Sequence, residues 1–408
     1  MDAARLFTSG FEIPTVDITG AEWSAALASP TLISTNPTPH SGSRSLQISA
    51  AGAGKNVRRD LSASVSSGTY FFRFYINYAS VTTSGSVIAF TESSGGVNSN
   101  EVRIFDTGGN KRFRLSNVPT AANADCSNNL SSGTWYRVEE RWIVSDTVGE
   151  VQMRTFTGDS LTADCSVQIG ATNTDTLGTN FARFYVGTET TDQYNAAIDD
   201  VGISDSTGSF QTSWLGPGKI VLLTPITDNS ATWTQTGVNC SGSIDGADCV
   251  DDISPGCQSC GLDNDSGYMS VTASAKTDRF NSWLAPGLDA NADMILVHVI
   301  GVIGGTSTQS TNTARLDLWD KNGTLQAGPT VAWCDRIGYP NGATILPNWL
   351  LVYDAGNDTR DQVESYSLGY QSVSLSQTCK ATALWANVEY KDVLGCTTYQ
   401  ALLGVGCK

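Results

Sequence analysis

The chain has 408 residues, enough for two or three domains that each bury a core of their own. Hydrophobic residues make up 40%, charged residues make up 16%, and there are 40 glycines, which excludes a disordered chain and indicates a folded, turn-rich one. The formal net charge of -16 argues against a nucleic acid or an anionic membrane as partner, because phosphate binding requires a basic surface.

The N-terminus and the cysteines give conflicting indications about whether the protein is in a reducing or an oxidising environment. Residues 1–10 have neither the charged nor the apolar region of a signal peptide, so we expect no secretion leader. The chain nevertheless has ten cysteines, although thiols made in a cytosol normally stay reduced. A protein that leaves its cell by lysis and meets oxidant only afterwards, as virus particles do, resolves this conflict.

Strand-like segments separated by turn signals fill the first half of the chain, a pattern typical of a β-sandwich. In 69–78 the apolar side chains, among them Phe72, Phe74 and Ile76, share one face of a predicted strand. No segment has convincing helical periodicity. Further strands are predicted at 45–48, 101–105, 112–115, 135–144, 151–155, 182–186 and 197–203.

Two adjacent carboxylates, Glu139 and Glu140, lie between tryptophans in the predicted strand 135–144. Successive side chains of a strand point to opposite faces, so these two cannot converge on one substrate bond. We interpret them as strand charges that pair with Arg137 or Arg141 across a solvated face, and not as a catalytic acid pair.

A polar stretch that becomes rich in Gly and Pro, 205–218, marks a domain boundary. The second unit contains the longest apolar run of the chain, 294–303, which is too short to span a bilayer and is interpreted as a buried strand. Other strands are predicted at 313–319, 349–353 and 384–390. The predicted fold is all-β, with two consecutive β-sandwich domains and a short C-terminal extension, at 1–212, 213–393 and 394–408.

The two histidines leave few options for nucleophilic catalysis, because a Ser-His or Cys-His pair needs one of them as its base. His298 alternates with Met294, Leu296 and Ile300 on one strand face, which predicts a packed histidine. We therefore predict no catalytic residue and no enzyme.

A loop rich in Gly, Asp and Ser contains four cysteines, and disulfides, free thiols and zinc are all open there. Structural zinc sites use two close pairs of ligands, whereas this loop has one C-x-x-C pair, so we favour disulfides. Two further pairs are expected, Cys126 with Cys165 and Cys396 with Cys407. The four cysteines of the loop are Cys240, Cys249, Cys257 and Cys260.

Two series of short motifs resemble known proteins by their order along the chain. The first series resembles the laminin-G-like, concanavalin-A-like jelly rolls of bacterial and bacteriophage proteins. The second is similar to the unit that follows such a jelly roll in tailed-phage structural proteins, from which 255–268 departs as a cysteine-bearing insertion. The first comprises Gly10-Phe-Glu12, His40–Leu46, Gly133–Arg137 and Ala197–Asp205. The second comprises Ser213–Pro225, Val250–Pro255 and Trp385–Glu389.

The resemblance implies two jelly-roll-like domains and a structural role for the turn that contains His40. It also brings the first and last strands of the first domain together, so that Glu12 and Asp199 or Asp200 meet and hold a structural Ca²⁺ with backbone carbonyls. The alternative is a hydrogen-bonded carboxylate that caps a turn, which we favour because only three carboxylates are within reach. No other cofactor is expected.

The function that the resemblance implies is that of a non-enzymatic structural protein of a tailed phage. We expect it on the particle exterior, as a capsid decoration protein ahead of a tail or fibre component. Its partners would be other virion proteins and further copies of itself, with a trimer as the expected symmetric homo-oligomer. The alternative is a lectin-like module that holds host glycans on exposed aromatic side chains. The candidate side chains are Trp233, Trp283, Trp319 and Trp333.

Overall fold

The computed structural model describes most of the chain, and the structural statements below concern those residues. They are 5–12, 22–27, 31–49, 55–65, 67–81, 85–93, 95–175, 181–188, 194–208, 210–230, 232–236, 250, 268–284, 292–305, 312–328, 330, 348–356 and 358–392.

The secondary structure is almost entirely strand. The strands are β1 Arg5–Ser9, β2 Ala25–Leu27, β3 Thr31–Ile33, β4 Ser45–Ile48, β5 Asn56–Val65, β6 Gly68–Val81, β7 Ser86–Ser93, β8 Asn98–Thr107, β9 Asn110–Asn117, β10 Ala122–Asp125, β11 Trp135–Val144, β12 Gly149–Thr157, β13 Cys165–Thr172, β14 Phe181–Gly187, β15 Tyr194–Asp205, β16 Lys219–Ser230, β17 Thr234–Thr236, β18 Tyr268–Val271, β19 Lys276–Leu284, β20 Asp293–Gly305, β21 Thr313–Trp319, β22 Leu325–Ala327, β23 Asn348–Asp354, β24 Ser367–Ser374 and β25 Cys379–Lys391. This confirms the predicted all-β class.

The first unit is a sandwich of two antiparallel sheets. One has eight strands in the order β13-β12-β11-β6-β15-β4-β3, with β1 also paired to β15, and the other has seven in the order β10-β9-β8-β7-β14-β5-β2. Alternate side chains of each sheet face the core between them, where Phe72 of β6 stacks on Phe184 of β14 with ring centroids 4.7 Å apart.

A disulfide joins the two sheets of the first unit at their edges. Cys126, which follows β10, is bonded to Cys165 at the start of β13, and this confirms one predicted pair. Cys379 at the start of β25 is also disulfide-bonded, although the sequence analysis did not include it among the paired cysteines. The remaining predicted cysteines lie outside the described residues; they are Cys240, Cys249, Cys257, Cys260, Cys396 and Cys407.

The second unit is a branched antiparallel sheet with a core of its own. Its strands follow the order β17-β18-β25-β16-β19-β24-β21-β22, while β25 also pairs with β20 and β20 with β23. Its core includes Leu223, Val297, Leu316 and Tyr370, which belong to four different strands.

Within the described ranges there is one short α-helix, α1 Arg360–Glu364, in the second unit, where the sequence showed no helical periodicity. Five residues are too few to leave such a pattern, and a capping box between Thr359 and Gln362 sets the start of the helix. Over the described ranges, no helix has the length and apolar character that crossing a membrane requires.

Candidate functional site

The junction between the two units, which we call the seam, contains a large group of buried charged side chains. It is formed where β16 and β25 of the second unit lie against β1, β6 and β15 of the first. Five of the seven motifs of the sequence resemblance have residues here, namely 10–12, 40–46, 197–205, 213–225 and 385–389. Apart from Val250, the motif Val250–Pro255 lies outside the described residues. Glu12, His40, Asp199, Asp200 and Glu389 are buried or nearly so at this junction.

The Glu12 carboxylate closes the turn that follows His40. It accepts hydrogen bonds from the backbone N–H of Ser43 at 2.9 Å, from the Ser43 hydroxyl at 2.8 Å and from the N–H of Arg44 at 3.2 Å. Gly42 makes this approach possible, because its φ of +58° is left-handed and a Cβ there would lie 2.1 Å from Glu12 Oε1. The turn therefore depends on both Glu12 and Gly42.

Two successive aspartates serve the same turn because β15 is irregular at this point. The pairing of β15 with β6 shifts register between Asp199 and Gly202, and Asp200 has a φ of +49°. In a regular strand the two side chains would point to opposite faces, and the irregularity re-aims one of them. As a result, Asp199 Oδ2 accepts from the N–H of His40 at 2.9 Å, and Asp200 Oδ2 lies 2.6 Å from His40 Nδ1.

Asp200 also ties the first unit to the second. Its Oδ1 accepts the Ser41 hydroxyl at 2.6 Å and the backbone N–H of Ile220 in β16 at 2.7 Å. The Ser41 hydroxyl donates to Asp200 and lies 3.0 Å from the Ile220 carbonyl. These contacts involve the aspartate and the backbone, and not the His40 imidazole. Ser41, His40 and Asp200 are therefore not arranged as a Ser-His-Asp nucleophile, in which the serine bonds to the histidine.

The three carboxylates predicted to hold calcium do come together, but the groups around them do not fit a cation. The Glu12 and Asp199 oxygens accept backbone N–H groups, whereas Ca²⁺ requires oxygen ligands. Burial raises the pKa of Glu12 to about 8, and burial followed by the charges of Asp200 and Glu12 raises the pKa of Asp199 well above its usual value. Over the part of the chain that is described, no set of three or more His, Cys, Asp or Glu side chains is grouped to bind a metal. Calcium stays a prediction.

A buried ion triad crosses the seam beside this turn. Glu389 of β25 bonds Arg5 of β1 at 2.6 Å and Arg73 of β6 at 2.5 Å, and all three side chains are fully buried. Burial acts to raise the pKa of Glu389, but the charges of Arg5 and Arg73 outweigh it and hold this pKa below its usual value. Glu389 therefore stays ionised and joins three strands from both units.

Another buried carboxyl, that of Glu22, lies farther along the seam. Glu22 accepts a hydrogen bond from Asn387 of β25 at 2.9 Å, and Asn387 also donates to the Thr8 carbonyl at 2.8 Å. Burial raises the pKa of Glu22 to about 7. His298 of β20 is buried, as predicted, and burial followed by the charges of Arg59 and Arg5 lowers its pKa to about 3.

His40 is part of a charged cluster that the sequence analysis did not find. Its ring stacks on Tyr75 with centroids 3.7 Å apart, and its Nε2 lies 3.4 Å from Asp159. Burial acts to lower the pKa of His40, but hydrogen bonds to Asp159 and Asp200 raise it overall. Tyr75 donates to Asp159 at 2.6 Å. His40 and Asp159 are far apart in sequence, so no local motif could have revealed the cluster.

A cavity of about 360 Å³ opens in front of this cluster at the surface of the seam. Its lining comes from the loop after β12, from the linker (residues 210–218, between β15 and β16), and from the ends of β16, β20 and β25. The lining residues are Asp159, Leu161, Pro217, Gly218, Lys219, Asp293, Lys391 and Asp392.

Glu139 and Glu140 occupy opposite faces of β11, as predicted, but neither face is solvated. Arg137 donates to Glu139 at 2.8 Å, and both side chains are buried. The linker covers this face, since Trp214 lies under the guanidinium of Arg154 at 4.0 Å. Arg141 pairs with Glu150 of β12 instead.

Glu140 points into the sandwich core, beside Phe72 and Met153 in the sheet. Burial raises its pKa to about 8. The predicted pairing of Glu139 with Arg137 is confirmed, and the two carboxylates do not converge. The predicted solvation of the face was wrong, because both glutamates are buried.

The tryptophans proposed as glycan platforms divide into two groups. Trp233 is buried, with its ring edge-on to Tyr370 at 4.6 Å, so it offers no exposed platform. Trp319 is half-buried and lies 5.1 Å from the guanidinium of Arg279. The side chain of Trp283 and all of Trp333 lie outside the described residues.

No protein-family model matches the chain, and no curated protein matches it. Among solved structures, part of the chain is similar to Cellulose induced protein, Cip1, with 14% identity over 51% of this chain and 92% of that one, at a TM-score of 0.31. Lectin II from Ulex europaeus has 8% identity over 49% of this chain and 98% of that one, at a TM-score of 0.33. Alginate lyase from Alteromonas sp.272 has 14% identity over 44% of this chain and 95% of that one, at a TM-score of 0.28. At these identities and TM-scores, the likenesses carry no argument about the fold or the activity of this chain.

Proposed function

We propose that this protein is a non-enzymatic structural protein on the exterior of a tailed-phage particle, with capsid decoration ahead of a tail or fibre role. The observation that carries the proposal is that five of the seven resemblance motifs come together at the seam. Glu12 closes the turn at His40, Asp200 holds that turn against Ile220, and Glu389 joins both units. These contacts join the two units to each other.

The construction of the seam suits a rigid building block. Removing either unit would leave Arg5, Arg73 or Glu389 without its buried opposite charge, which is strongly unfavourable in a protein interior. The two sandwiches are therefore expected to fold and dock as one unit, as a part of a particle shell or tail must. Its partners would be other virion proteins and copies of itself, with a trimer as the expected symmetric assembly.

The disulfide supports the proposed location on the exterior of a particle in oxidising conditions. Cys126 and Cys165 form a bond that persists in oxidising conditions and not in a cytosol. A particle released by lysis meets such conditions without a secretion pathway. The exterior location rests on this argument together with the sequence resemblance, which is an argument from analogy.

The test is to purify phage particles from the source by density gradient and to identify their proteins by mass spectrometry. The proposal expects this chain in stoichiometric amounts on intact particles, accessible to an antibody before disruption. Deletion of its gene should lower particle stability or attachment. Absence from mature particles, or turnover of a polysaccharide by the purified chain, would contradict the proposal.

A further inference from the structure

The cavity at the seam has the features of a binding site and goes beyond the proposed structural role. It lies at the junction of two domains, where small-molecule sites are frequent, and its volume of about 360 Å³ lies within the range of ligand pockets. The side chain of Leu161 is unusually exposed for a leucine, at 67%, and together with Pro217 it gives the cavity an apolar wall.

Two residues of the cavity lining, Asp159 and Gly218, are held in place from behind. Asp159 accepts a hydrogen bond from Tyr75 and lies beside His40. The backbone of Gly218 presses on the buried triad, because a Cβ there would lie 2.2 Å from Arg73 Nη1. Such support is what a preorganised site requires, since its groups need not be ordered when a ligand arrives.

The charges of the lining are paired with one another. Lys219 lies 3.6 Å from Asp159 and also bonds Asp392, while Lys391 lies 3.4 Å from Asp293. A charged ligand would have to compete with these pairs. A neutral ligand with several hydroxyl groups would instead accept from the ammonium groups and donate to free carboxylate lone pairs, and hydrogen bonds to ionised groups are the stronger kind.

We propose that this cavity binds one neutral sugar residue, with its hydroxyls on Asp392, Lys219 and Lys391 and its C–H face on Leu161. The ion pairs place donors and acceptors side by side along the cavity, and the apolar wall takes the carbon skeleton. The proposal is independent of the particle location, because the cavity belongs to the isolated chain.

The test uses the full chain and saturation-transfer NMR with D-glucose, D-galactose and N-acetylglucosamine, beside galacturonate and glucosamine as charged probes. At least one neutral sugar should bind more tightly than both charged probes. Asp392→Asn should weaken that binding about fivefold to tenfold, through the loss of a charge-assisted hydrogen bond. Leu161→Ser should weaken it as well, because the apolar wall is lost.

Asp125→Asn is the matched control, because its carboxylate is 41% exposed and bonded to Arg114, as Asp392 is 45% exposed and bonded to Lys219. This control should bind sugar as the unchanged protein does. Melting temperatures show that each variant is folded, and Leu161→Ser keeps every ion pair intact. The proposal is overturned if no neutral sugar binds, if a charged probe binds best, or if the folded cavity variants bind as the control does.

Discussion

The seam and the outer edge of the seven-stranded sheet use the same pairing of arginine with carboxylate, in opposite surroundings. At the seam, Arg5, Arg73 and Glu389 are fully buried. At the sheet edge, Arg114 and Asp125 join β9 to β10 with side chains 22% and 41% exposed. Water can replace either partner at the edge but not at the seam, so the cost of removing one charge should differ several-fold.

The largest effect is expected at the triad. Glu389→Gln leaves two buried guanidinium groups without their opposite charge and should lower the free energy of unfolding by about 3–5 kcal/mol. Urea denaturation followed by tryptophan fluorescence measures this. A loss below about 1 kcal/mol, as at an exposed pair, would show that the seam is solvated in solution.

Removal of the disulfide should have the next largest effect. Replacing Cys126 and Cys165 together by serine frees the edges of the two sheets and should cost about 2–4 kcal/mol through the gain in entropy of the unfolded chain. The unchanged protein in reductant is the control, and its intact mass after alkylation reports whether the bond was present. Equal stability of oxidised and reduced protein would contradict the expectation.

The buried carboxyls without a guanidinium partner should lower the stability of the fold as the pH rises. Glu389, whose pKa is lowered, acts in the opposite direction. Burial raises the pKa of Glu140 to about 8, so the folded state holds its proton more tightly than the unfolded state does. Its contribution is present below the unfolded pKa of about 4.3 and is lost as the pH rises through about 8.

Glu140→Gln should therefore flatten part of the decline in stability between about pH 5 and 9, while Glu12 and Glu22 maintain the rest. Thermal melts across this range, with Glu364→Gln on α1 as the control, measure the effect. Parallel curves for Glu140→Gln and the unchanged protein would mean that water reaches this carboxyl.

A small effect is expected at the exposed pair. Asp125→Asn should cost below about 1 kcal/mol, and added salt should reduce even that. Denaturation at low and high ionic strength checks this. A cost as large as that of Glu389→Gln would remove the distinction between the two regions.

No effect is expected from a chelator. Because N–H groups surround Glu12 and Asp199, excess EDTA should leave the melting temperature unchanged. A lower melting temperature that added Ca²⁺ restores would instead favour the calcium hypothesis at this turn.

The fold class and many of the strands could be predicted because their signals are local. The alternation of Phe72, Phe74 and Ile76 is visible in ten residues, since the side-chain period of a strand is two. The same rule placed Glu139 and Glu140 on opposite faces. The rule does not reveal what covers those faces, and so the prediction of a solvated face was wrong.

The sequence by itself determined many of the strands, the opposite faces of β11 and a cysteine pair that the structure confirms. Only the tertiary structure decided the seam, because its partners are distant in sequence: His40 meets Asp200 across 160 positions, and Arg73 meets Glu389 across 316. No periodicity records such pairs. Docking of the two units removes water from these groups. A buried charge is then stable only beside an opposite charge, so each group pairs with one from a distant part of the chain.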